Sequence, residues 1–141
     1  MNLKVYLTWP RVLLAASLMV VFALGVTRPV QAAVFDHDGT LAADEVINDD
    51  LLIDAENVVV DGTVNGVLLA AGKTVTVNGT INGDAILVGG KVIVSDTARI
   101  TGSIFAGSST IEVGGQVDGS VFGGSASFHL NDGASVARNT Y

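Results

Sequence analysis

The sequence predicts an all-β, single-domain parallel β-helix, a solenoid of about six coils of 17–19 residues with a triangular cross-section. Three observations predict it. Glycines recur 17 residues apart, as Gly62 with Gly79 and Gly66 with Gly83. Apolar residues fall into columns at the same spacing. Turn residues interrupt each repeat at three places. Self-similarity at a fixed short period is the signature of a stacked array, in which one unit cannot bury its own apolar face and its neighbours do so.

Residues 1–32 read as a secretory signal peptide. Lys4 and Arg11 are its positive region, Val12 to Val26 its apolar run, and Val30 and Ala32 the small residues at the cleavage positions. The alternative is an inner-membrane anchor over 12–27, although 15 apolar residues fall short of the roughly 20 that a spanning helix needs. Beyond Ala33 stand all 14 acidic residues against Lys73, Lys91, Arg99 and Arg138, a net charge of −10. Such a balance excludes nucleic acid and anionic membrane surfaces as expected partners. The membrane enters only through an uncleaved leader. Residues 33–39 are expected to form a polar cap and residues 40–141 the repeat domain.

The first column is Val58, Val75, Val92, Ile111 and Phe128, and the second is Val60, Val77, Val94, Val113 and Leu130. The third is Val64, Ile81, Ile100, Val117 and Val136. Leu68, Ala85, Ile104 and Val121 form a fourth, and Ala70, Leu87, Ala106 and Gly123 a fifth. Stepping back by 17 assigns Leu41, Ala43, Ile47, Leu51 and Ile53 to the first coil, starting near Gly39. Two coils carry an extra pair of residues, around Asp96–Arg99 and Asp132–Ser135. Within each coil the apolar positions alternate, the mark of short strands with one face buried. Between strands stand turn residues: Asp61-Gly62 and Asn78-Gly79 at one corner, Asn65-Gly66 and Asn82-Gly83 at the second, Ala71-Gly72-Lys73 and Gly89-Gly90-Lys91 at the third. Gly, Asn and Asp tolerate positive φ, which is the expected reason for their presence there.

The stretch VVVDGTVNGVLLAAGKTVTVNGTINGDAILVGGKVIV, Val58 to Val94, resembles the bactofilin family of polymer-forming bacterial cytoskeletal proteins. The resemblance spans roughly Asn48 to Val136 and rests on the recurring V-x-V-x-G-x-V-x-G unit. It implies a right-handed β-helix that binds no nucleotide and joins end to end into filaments. Typical members of that family are cytoplasmic, whereas this chain carries a leader, so the expectation is an exported relative in the periplasm or at the cell surface.

Catalytic chemistry finds little footing. No cysteine exists for a thiolate or a disulfide. Asp36-His37-Asp38 offers three ligand types in a row, a geometry that converges poorly on one ion, and no cofactor or metal is expected. His129 stands beside Phe128 with no second acid–base residue recurring next to it. The glycine turns lack the Lys-Ser/Thr and helix of a phosphate loop. The expected function is therefore not enzymatic.

One surface stands out. The alternation turns Leu52, Leu69, Ile86, Phe105 and Phe122 outward, and an exposed apolar column of that length marks a contact surface. Phe128 and Leu130, in the last coil, are the expected end contacts. The sequence thus predicts a self-assembling structural protein of the bacterial envelope, its partner being itself, end to end, with envelope components as further candidates. The alternative class is a monomeric exported binding module for a partner protein or an envelope glycan.

Overall fold

The computed structural model describes residues 34–36 and 38–141. The leader, residues 1–33, and His37 lie outside the described residues. Among the described residues all regular secondary structure is strand, and the strands pair in parallel in two sheets. The chain winds as a β-solenoid of six coils whose cross-section has three sides. The first side carries Leu51–Asp54 and its equivalents, the second Asn57–Val60, and the third Thr63–Val64. The first two sides belong to one nine-stranded sheet and the third side forms a sheet of six.

The predicted columns are the register of these sheets. Val58 pairs with Val75, Val75 with Val92, Val92 with Ile111, and Ile111 with Phe128. Val64, Ile81, Ile100, Val117 and Val136 likewise stack in one ladder. Like residues stack because a parallel ladder repeats each side chain's environment about every 4.8 Å. The interior is entirely apolar: among the described residues no polar or charged side chain is buried. Gly123 breaks the fifth column, and the Phe128 ring fills the space, 3.3 Å from where a Cβ would stand.

The first coil departs from expectation. Leu41 pairs with Val60, not with Val58, and Ala43 lies exposed in a turn. Asp36 is the partner of Ile53 and Thr40 that of Val59, so this coil is two residues shorter between its first and second sides. It is two residues longer between Leu41 and Ile47, which pairs with Val64. The changes cancel, the period of 17 survives, and simple subtraction misassigns the residues between them. Gly39, with φ 79°, makes the shortened corner and is the only residue at positive φ among those described. Val34–Asp36, within the stretch read as a polar cap, is itself a strand in register with Leu51–Ile53.

The corner glycines therefore serve a different purpose from the one expected. They are not at positive φ; they sit where one coil's backbone passes over the next. A Cβ on Gly79 would run into the Gly62 carbonyl oxygen and stand 2.6 Å from that of Asp61. One on Gly83 would strike the carbonyl of Gly66. In coils three to five the corner at Ala71-Gly72-Lys73 and its equivalents is no turn: the ten-residue strands Leu68–Val77, Ala85–Val94 and Ile104–Val113 bend through it without breaking.

Side chains form ladders of their own at the other corners. Asn82 Nδ2 donates to Asn65 Oδ1 and Asn65 Nδ2 to Asn48 Oδ1, each at 2.7 Å, while Asn78 Nδ2 donates to Asp61 Oδ1 at 2.6 Å. The inserted pairs share one design. In the coils holding Ala42–Glu45, Ser95–Ala98 and Asn131–Ala134, the fourth residue's N–H donates to the first residue's carbonyl at 3.0, 3.0 and 2.9 Å. Each insertion is thus a self-closed β-turn that leaves the flanking column residues in place.

Candidate functional site

The outward apolar column is where the alternation puts it. Leu52 pairs with Leu69, Leu69 with Ile86, Ile86 with Phe105, and Phe105 with Phe122. Leu69, Ile86, Phe105 and Phe122 are 36–43% exposed, and Leu52 is half-buried. The inward neighbours on either side, such as Ile104 and Ala106 around Phe105, are buried, so no slip of register accounts for the column. Leu52, Leu69, Ile86, Phe105 and Phe122 thus lie together as one ridge along the first side of the solenoid.

Two residues belong with this ridge that the sequence reading missed. Thr140 pairs with Val121, which sets Tyr141 beside Phe122. Their rings stack at 5.0 Å with an interplanar angle of 8°, and Phe105 stacks on Phe122 at 5.1 Å and 6°. The signal was present: Tyr141 follows Phe122 by 19 residues, the spacing of a coil with an inserted turn. Val88, 50% exposed, stands two residues after Ile86 and so on the same face.

The predicted end-contact residues hold core columns in the last coil. Phe128 is half-buried and Leu130 is 50% exposed, whereas their column mates Ile111 and Val113 are fully buried. Beside them Glu112, His129, Leu130, Asn131 and Asp132 line an open crevice. His129 is exposed and in register with Glu112, but that carboxylate is held at 3.0 Å by Lys91. The crevice brings no nucleophile into hydrogen bonding with the imidazole. Asp36 accepts the Asp38 N–H at 2.7 Å, a local turn contact. Among the described residues no group of three His, Asp or Glu side chains could hold a metal ion.

The ion pairs sit away from the ridge. Lys73 pairs with Glu56 at 3.7 Å on the surface, and Arg99 reaches both Asp118 and Gln116 on the third side. These exposed pairs contribute about 0–1 kcal/mol each and define no binding pocket. The surface that the geometry builds with continuity is apolar and linear, suited to another flat apolar surface and not to a small polar ligand.

Searches against protein-family models, curated proteins and solved structures found no match to this chain.

Proposed function

We propose that this chain is a self-assembling structural protein of the bacterial cell envelope, bactofilin-like, which associates with copies of itself through solenoid ends and an apolar face. The observation that carries the reading is the ridge Leu69–Ile86–Phe105–Phe122, continued by Tyr141, a line of exposed large apolar side chains on a rigid parallel sheet. Such a patch, left wet, costs free energy and invites association. The partly uncovered Phe128 and Leu130 extend core columns into the last coil, where another coil's backbone and side chains fit by the pairing that joins every coil to the next. The resemblance of Val58–Val94 to bactofilins supports the same reading. It is non-catalytic, and it places the chain outside the cytoplasm, with cleavage before Ala33.

Sedimentation of the mature chain over a range of concentration and salt, with electron microscopy of the same samples, tests it. Filaments or higher oligomers that grow with concentration are expected. A chain that stays monomeric at high concentration and high salt, where repulsion at a net charge of −10 is screened, overturns the reading in favour of a monomeric binding module. N-terminal sequencing of exported protein checks the leader: an intact Met1 would replace cleavage with an anchor.

A further inference from the structure

Beside the ridge runs a second outward column on the same side, made of Ala71, Val88, Gly107 and Gly124, paired in register from coil to coil. Two of its members are glycines that the fold does not require. A Cβ at Gly107 or at Gly124 would meet nothing within 4 Å, unlike the corner glycines packed against backbone carbonyls. The column itself accepts side chains, since it carries Ala71 and Val88. Glycine within a strand weakens it, and it often marks a bulge, a bend or a site where a ligand or another backbone approaches closely.

The two columns match in size. Leu69 stands next to Ala71, Ile86 next to Val88, Phe105 next to Gly107, and Phe122 next to Gly124. The bulkiest ridge residues therefore sit beside the barest floor. The face is also nearly free of charge: of the eleven outward positions on this side from Leu52 to Tyr141, only Asp54 is charged, although the chain beyond Ala33 carries −10. A partner recognised by charge finds little here, while a second copy brings no like charge against this face beyond Asp54.

From these observations we infer that two copies pair laterally, first side to first side and with their long axes parallel, so that Phe105 and Phe122 of one copy rest on Gly107 and Gly124 of the other. The orientation follows from symmetry. A two-fold axis along the rod, midway between the columns, sets each ridge over the partner's groove at the same coil. A two-fold axis across the rod sets ridge on ridge. The exposed parts of side chains of about 150–250 Å² leave on the order of 500 Å² per copy. Pairing thus covers roughly 1,000 Å², near the lower limit for a specific interface, so it is weak and depends on concentration.

The inference rests on the self-assembly reading but is separable from it. The test is the double variant Gly107→Val, Gly124→Val in the mature chain, measured by sedimentation and microscopy beside the parent. Nothing lies within 4 Å of either new Cβ, and Val88 already occupies this column, so melting at or above the parent temperature is expected. Lateral pairs or bundles should be lost, with the apparent association constant falling at least tenfold, while single filaments persist. Phe105→Lys should act the same way. Because the chain has no cysteine, a mixture of Leu69→Cys and Ala71→Cys chains should join through a short bis-maleimide. Joining of Leu69→Cys to Phe122→Cys instead, lateral pairing unchanged in the glycine variant, or a parent that forms only single filaments overturns the inference and leaves self-assembly standing. So does a parent without lateral pairs that floats with neutral phosphatidylcholine vesicles through this face. A parent monomeric in every condition overturns both.

Discussion

Replacing Val77 with Asp tests whether the second column is the continuous core on which the fold depends. Val77 is fully buried between Val60 and Val94 in coil three of six. The substitution forfeits about 1.5–3 kcal/mol of apolar burial. A carboxyl without a partner costs about 2–7 kcal/mol more, even uncharged. The sum, roughly 4–10 kcal/mol, rivals the total stability of about 5–15 kcal/mol for a domain of this size. The position adds to the effect, because coils stabilise only their neighbours and about three in succession are needed to stand alone. Val77→Asp should therefore lose its cooperative thermal transition by circular dichroism at pH 7. Val77→Asn separates ionisation from polarity. Burial raises the acid's folded-state pKa, so the Asp penalty grows as pH rises past its unfolded pKa and shrinks below it. The gap between Asp and Asn variants should close near pH 3. A cooperative melt of Val77→Asp within a few degrees of the parent would refute the column as core.

Other consequences are smaller and graded. Gly79→Ala should cost about 1–3 kcal/mol, since its Cβ meets backbone carbonyls that cannot yield cheaply, as read from urea denaturation midpoints. Gly114→Ala should cost less than Gly79→Ala by the same measure, because the nearest atom is the exposed Asp96 carboxylate, which can swing away. Asn82→Ala should cost only about 0.5–1 kcal/mol, as its ladder bond to Asn65 is exposed. Leu130→Lys should remove filaments seen by microscopy while leaving a melt close to the parent's, because Leu130 is half exposed already.

Much of this was legible in the sequence because stacking repeats one environment at one spacing, so Val75, Val92 and Ile111 announce each other. The same regularity hid the first coil: a loss of two residues near Gly39 and a gain of two after Leu41 preserve the period and cancel in any count. Local propensity also misled at the corners. Gly79 and Gly83 look like turn glycines, but the reason for glycine there is the backbone of the neighbouring coil, a contact 17 residues away in sequence. The ridge was readable from alternation alone. Its glycine floor was not, since Gly107 and Gly124 resemble the corner glycines until the space above them is seen.

The placement of the insertions bears on what the first side is for. In coils two to six the apolar residues of the third and first sides are always four apart, as Val64 and Leu68 or Ile100 and Ile104. Those of the first and second sides are always five apart, as Ala70 and Val75 or Ala106 and Ile111. Only the corner between the second and third sides varies, and all three self-closed turns stand there. In a triangular section that corner lies opposite the first side. Asp44, Glu45, Asp96 and Asp132 all fall in those turns, so bulk and negative charge collect at the far vertex. Gly114 and Gly115 are buried between two such turns, which Asn131 and Asp96 join at 3.5 Å. A solenoid that used all its surfaces alike would have no reason to confine insertions to one edge. Keeping the ridge and groove flat, almost uncharged and in strict register, while the opposite vertex takes every insertion, is what packing one first side against another requires.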